Sequence, residues 1–220
     1  MAMKALVMTN GDYCDNFSWY RSLANQFNRI YCVDGAAAAA VRMNITPHVL
    51  LGDMDSISVA DRKTLEENQT TSCISYPSDK DYTDTQLALE TARKEGSREI
   101  CLVGGTGTRL DHSLANLFSA GRMAEEGLDV WFAFPELTIH FVVSGNELRL
   151  EGFPGDTVSI LSMKDVSSGV TLTDFSYPLE GALLERNWPI GVSNVISGPC
   201  PAIKLEQGLL AVFHFLSRPS

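Results

Sequence analysis

The chain has no uninterrupted apolar segment long enough to span a membrane, and the apolar run in its opening MAMKALVMTNGDY is too short for a secretory leader. It also lacks positive charge. With 17 Lys and Arg against 27 Asp and Glu, the formal net charge is −10, so it offers no basic face to a nucleic acid or an anionic membrane surface. Five cysteines, Cys14, Cys32, Cys73, Cys101 and Cys200, are scattered without a CxxC pair. Such an odd, dispersed set reads as reduced intracellular thiols and implies no metal site of its own. No internal repeat, low-complexity tract or flexible linker interrupts the chain. A cytoplasmic globular protein is therefore expected. The negative charge leaves a phosphate ligand open, because magnesium can supply the missing positive charge.

At 220 residues, 45% of them apolar, the chain can bury a sizeable core in one domain or two. Up to about residue 135, short β-rich runs alternate with helical patterns. KALVMT precedes a helix over 18–28, RIYCVD one over 36–43, and HVLLGD one over 59–69. TSCISYP precedes 82–95, EICLVGG precedes 111–126, and DVWFAF closes the series. Near-continuous apolar strands alternating with helices predict a mostly parallel, Rossmann-like α/β sheet covered on both faces. From about residue 137 the helical period disappears. TIHFVV, ELRLEG, TVSILSM, GVTLTD, SNVISG, AIKLEQ and LLAVFHF read as short strands of an all-β sandwich. Two domains are expected, 1–135 and 136–220.

Ligands of a parallel α/β sheet bind beyond the carboxyl ends of its strands. Those ends carry Asn10-Gly11-Asp12, Asp34-Gly35, Gly52-Asp53-Met54-Asp55, Pro77-Ser78-Asp79-Lys80-Asp81 and Gly104-Gly105-Thr106-Gly107. Taken singly, each reads more readily as ordinary turn or cap residues than as a site. Asp12 and Asp79 fit that ordinary reading. The segment LLGDMDSIS does not fit it so easily, because carboxylates two residues apart repel unless a cation lies between them. Magnesium takes oxygen ligands, commonly one or two carboxylates plus substrate phosphates. Asp53 and Asp55 thus read as part of a magnesium cradle.

In SDKDYTDTQLALE, Asp81 can cap the following helix with Asp84 three residues on. Asp84 also lies one helical turn from Lys80 and Asp81, and a lysine among aspartates at a helix start suits a magnesium–polyphosphate ligand. LVGGTGTRLDHSLAN takes a strand through glycines into a helix, where backbone N–H groups and the Arg109 fork can meet phosphate. The GK[ST] ending of a P-loop is missing, and Asp111 can simply cap the helix. No triad involves His48, His140 or His214.

Together these motifs resemble the thiamin pyrophosphokinase family. The resemblance rests on DGAAAAA, LLGDMDSI, YPSDKDYTDTQLAL and GGTGTRLDHSLANL, followed by YPL and GVSNVISG, in the family's order over roughly residues 30–215. It departs at Ala36, where the family often has a second glycine. It implies an α/β domain followed by a β-sandwich, and transfer of pyrophosphate from ATP to thiamine, giving thiamine diphosphate and AMP. It further implies magnesium on Asp53, Asp55 and Asp84, with phosphate contacts from Lys80, Thr83 and Arg109. Asp111 would stand near the phosphates or the reacting hydroxyl, and Asp34, Gly35, Ala36, Gly105 and Thr106 would line the nucleotide pocket. The proton acceptor stays open between Asp81 and a magnesium-bound aspartate. Tyr177 would stack on thiamine, with Ser193 and Asn194 as polar contacts.

The resemblance also implies a homodimer with shared active sites, and the C-terminal GLLAVFHF run offers apolar surface for it unless that run is core. The rival readings are a nucleotide-dependent transferase acting on another alcohol and a non-catalytic nucleotide sensor. A sensor has no need of the full set Asp53, Asp55, Asp81, Asp84 and Arg109.

Overall fold

The computed structural model describes residues 3–67, 70–79, 81–107 and 109–217. The chain forms two compact units, Met1–Met123 with Leu128–Val130, and Ala124–Gly127 with Trp131–Ser220. The first unit runs β1 (Met3–Met8), α1 (Phe17–Ala24), β2 (Arg29–Val33), α2 (Ala37–Arg42), β3 (Val49–Gly52), α3 (Val59–Glu67), β4 (Ser72–Ser75), α4 (Asp84–Lys94), β5 (Ser97–Val103) and α5 (Leu110–Glu125). Its five strands are parallel, in the order β5-β1-β2-β3-β4. Leu6, Tyr31, Leu50, Leu51 and Leu102 are buried almost completely, as strands covered on both faces require.

The strand order sets the position of the site. From β1 the chain moves outward through β2, β3 and β4, then returns to place β5 on the other side of β1. The loops after β1 and β5 therefore leave the sheet in opposite directions, and that divergence opens a crevice at the strands' carboxyl ends.

β6 (Asp129–Phe134) passes from the first unit into the second, which continues with β7 (Leu137–Val143), β8 (Glu147–Arg149), β9 (Thr157–Ser162), β10 (Val166–Thr173), β11 (Leu179–Glu185), β12 (Asn194–Val195), β13 (Ala202–Lys204) and β14 (Leu209–Phe215). One antiparallel series runs β12-β9-β14-β7-β6, and a second sheet runs β11-β10-β13-β8. Val158, Ile160, Leu210 and Val212 from the first series share one core with Val170, Leu172, Leu184 and Ile203 from the second. This is the sandwich the short strands predict. The GLLAVFHF run is core, because β14 pairs on both sides and Leu209 to Val212 are buried. Only its end, at Phe215, is exposed.

Three of the four histidines serve the fold. His48 Nδ1 accepts the Ile30 N–H at 3.0 Å, and His140 stacks on Trp131 with ring centroids 5.6 Å apart. The buried His214 Nε2 lies 2.9 Å from Asp156 Oδ2. No helix among the described residues is long and apolar enough to cross a membrane.

Candidate active site

β2 ends in a 3-10 turn, Asp34–Ala36. The Asp34 carboxylate is buried, and it accepts the Gly35 N–H at Oδ1 (2.7 Å) and the Met54 N–H at Oδ2 (2.9 Å). The neighbouring β3 closes on it at Gly52, whose φ is +149°. A Cβ there would lie 2.5 Å from Asp34 Cγ, so glycine is what allows the two strand ends to meet. Met54 then takes the left-handed region at φ 66°. After this turn, one carboxylate oxygen each from Asp34, Asp53 and Asp55 lies within 4.8 Å of the others.

The group is graded from inside to outside: Asp34 is buried, Asp53 half-buried and Asp55 exposed. Burial, and then the negative charge of Asp84, push the Asp34 carboxyl up. The Asp55 N–H, donated to Asp53 Oδ1 at 3.2 Å, holds Asp53 down, helped by Ser78. Asp34 thus keeps a proton more tightly than Asp53. Three hard oxygen donors at this spacing fit magnesium. Gly52→Ala is expected to lower stability by about 2 kcal/mol through backbone strain and to push Asp34 out of the group. Urea unfolding checks the first effect and magnesium titration of the folded variant the second.

The start of α4 differs from the expected cap. Thr83 caps the helix, not Asp81: its Oγ1 accepts the Gln86 N–H at 3.2 Å while Gln86 Oε1 accepts the Thr83 N–H at 2.9 Å. Gln86 lies three residues beyond Thr83, so TDTQ is the capping box and Asp84 is freed from that duty. Asp84 opens the helix and acts electrostatically on Asp34, while Asp81 is exposed just ahead of it. Lys80 lies outside the described residues.

At the crevice between β1 and β5, a cavity of about 210 Å³ is lined by Asp12, Gly105, Thr106, Arg109, His112 and Asn116, among others. Its two loops are stitched together. The Asp12 N–H reaches the Thr106 carbonyl at 2.8 Å, and Asn116 Nδ2 donates to the Gly105 carbonyl at 3.0 Å. A Cβ on Gly11 would collide with the Gly104 and Thr106 carbonyl oxygens, so the close approach needs glycine. Arg109 donates from Nε to Asp111 Oδ1 at 3.0 Å and from its terminal nitrogen to Oδ2 at 2.7 Å. That fork holds the Asp111 carboxyl well below the usual carboxylate range. Asp111 therefore orients the guanidinium from within the first turn of α5. Asp12, His112, Ser113 and Asn116 belong to the lining although their sequence context reads as turn or helix surface. The strand order is what identifies them.

In the second unit a cleft of about 280 Å³ is lined by Tyr177, Leu179, Ile190, Val192, Ser193 and Asn194, with Gly191. Tyr177 is 69% exposed. Ser193 takes φ 60°, and its N–H is donated to Ser159 Oγ at 3.0 Å. Asn194 is buried, and its amide is bonded to the Tyr177 backbone.

Known proteins share this layout in both sequence and fold. The family profile described as "Thiamin pyrophosphokinase, catalytic domain" matches residues 20–132, and "Thiamin pyrophosphokinase, vitamin B1 binding domain" matches residues 145–210. The thiamine pyrophosphokinase of Bacillus subtilis (strain 168) is 25% identical over 183 residues, covering 83% of this chain and 85% of the relative. Thiamine pyrophosphokinase 1 of Oryza sativa subsp. japonica is 26% identical over 183 residues, 77% of this chain and 67% of its own. Two solved structures carry the same fold. The Bacillus subtilis thiamine pyrophosphokinase superposes with a TM-score of 0.84 at 20% identity, covering 98% of this chain and 100% of its own. The thiamin pyrophosphokinase from Candida albicans superposes at 0.80 and 16% identity, covering 98% and 90%. Since both profiles match in order and the catalytic one alone spans more than half of the chain, this protein belongs to the thiamin pyrophosphokinase family.

Proposed function

We propose that the chain transfers the β,γ-pyrophosphoryl group of ATP to the hydroxyl of thiamine in a magnesium-dependent reaction, giving thiamine diphosphate and AMP. The observation that carries this reading is the convergence of Asp34, Asp53 and Asp55 at adjacent strand ends, inside the segment matched by the catalytic-domain profile. Asp53, Asp55 and Asp84 would hold the ion, with Asp34 the innermost oxygen donor behind them. Bound there, magnesium would offset polyphosphate charge and make the β-phosphorus more electrophilic. Lys80, Thr83 and Arg109 would contact phosphate oxygens, with Asp111 holding one edge of the Arg109 guanidinium. Asp34, Gly35 and Ala36, with Gly105 and Thr106, line the nucleotide side.

The thiamine oxygen attacks the β-phosphorus, the bond from the bridging oxygen to that phosphorus breaks, and AMP departs. The hydroxyl proton passes to a carboxylate, either Asp81 or one of the magnesium-holding aspartates. Positioning and charge neutralisation supply most of the acceleration in chemistry of this kind. Tyr177 gives the thiazolium cation an aromatic face, and Ser193 and Asn194 complete the cleft. The enzyme works in the cytoplasm as a homodimer whose sites combine residues of both subunits.

Incubation with ATP, magnesium and thiamine should release AMP and thiamine diphosphate in equal amounts. ADP in place of AMP would make the chain a kinase, and AMP release independent of thiamine would assign a different acceptor.

A further inference from the structure

Tyr177 sits on the short connection between β10 and β11 and is largely in solvent, so core packing does not fix its direction. Its backbone is fixed instead. Phe175 bridges Ile196 in antiparallel register, and the Ser176 N–H is donated to the Val195 carbonyl at 2.8 Å. At the next position the partner's backbone no longer reaches, and a side chain takes over. Asn194 Oδ1 accepts the Tyr177 N–H at 3.1 Å, and Asn194 Nδ2 donates to the Tyr177 carbonyl at 2.7 Å. The same Oδ1 accepts the Val195 N–H at 2.8 Å. The orientation of the amide is unambiguous, since turning it over would set an NH2 against two N–H donors. Both lone pairs of Oδ1 and one of the two Nδ2 hydrogens are thereby committed to backbone, on a side chain 4% exposed.

We infer that Asn194 is a positioning residue, which acts on thiamine by locking the backbone of Tyr177 and so aiming the aromatic wall of the cleft. The inference rests on the assignment of this cleft to thiamine. A platform already held in place need not be ordered when the ligand arrives, and freeing one residue's backbone restores that ordering cost on each binding event.

Steady-state kinetics of Asn194→Ala, Tyr177→Ala and the double variant test this, together with amide hydrogen exchange at Tyr177. Asn194→Ala should raise the KM for thiamine about tenfold, with a much smaller effect on kcat and on the KM for ATP. In the Tyr177→Ala background the same substitution should change the thiamine KM by less than about twofold, because no ring remains to be aimed. A full tenfold effect in that background would show that Asn194 itself touches thiamine and would overturn the inference. Exchange at the Tyr177 amide should accelerate at least about tenfold in Asn194→Ala, and unchanged exchange would overturn the clamp whatever the kinetics show. A thiamine KM untouched by Tyr177→Ala would refute the cleft assignment and with it the effect on thiamine, while exchange still decides the clamp. If Asn194→Ala fails to fold, Asn194→Ser keeps a small hydroxyl that is too short to bridge both Tyr177 backbone groups. It should shift the thiamine KM and the Tyr177 exchange in the same directions by smaller factors, and parent-like values of both would overturn the inference.

Discussion

Asp55→Asn is expected to fold like the parent protein and to lose at least about 100-fold in thiamine-dependent AMP release. The fold should survive because Asp55 is exposed, and the bonds that shape its turn come from backbone and neighbours. Its N–H still reaches Asp53, and Asp34 still accepts from Met54. What changes is charge, since an amide presents one neutral oxygen where a carboxylate stood. Removing one anionic donor weakens magnesium at the point where phosphate charge must be offset. The loss should therefore shrink as magnesium is raised, and calorimetry should show weaker magnesium binding before any nucleotide is added. Near-parental turnover at limiting magnesium would make Asp55 a turn residue and remove it from the metal site.

The sequence made the carboxylates legible but not their partnership. Asp53 and Asp55 announce themselves by spacing, since two charges flanking one methionine need a reason. Asp34 carries no such signal. It joins them only because β2 and β3 are adjacent and Gly52 leaves room for its carboxylate, and neither fact is written in the local pattern. The grouping of the crevice lining, and its helix members His112, Ser113 and Asn116, were hidden for the same reason. Asp12 and Asn116 become neighbours of one cavity only once β1 and β5 are known to flank the point where strand order reverses. Local propensity misleads twice more. LEGALLE is rich in good helix formers yet forms β11, because pairing with β10 outweighs propensity in a sandwich. At α4 the aspartates look like caps, while the threonine between them does the capping. The alternating strands of the second unit were legible because half-buried faces impose their period on the sequence.

The largest recovery of activity should come from two dead proteins. Asp55→Ala removes the proposed metal donor in the first unit, and Tyr177→Ala the proposed aromatic wall in the second, so each variant alone should be nearly inactive. If one active site takes its carboxylates from one subunit and its aromatic wall from the partner, a hybrid dimer concentrates both lesions in one site and leaves the other intact. With random assortment half of the dimers are hybrids, each with one working site in two, so co-expression should restore about a quarter of parental activity. The surface has material for such an association. Leu110, Leu114 and Phe118 are exposed at successive turns along α5, immediately after Arg109, and Leu183, Trp188 and Ile190 are exposed in the second unit. Apolar side chains gathered in this way mark contact surfaces more often than bare solvent-facing ones. Differently tagged chains purified in sequence isolate the hybrid, and native mass spectrometry establishes its composition. A proven hybrid that stays inactive would place each whole site within a single chain, and the apolar faces would then need another partner.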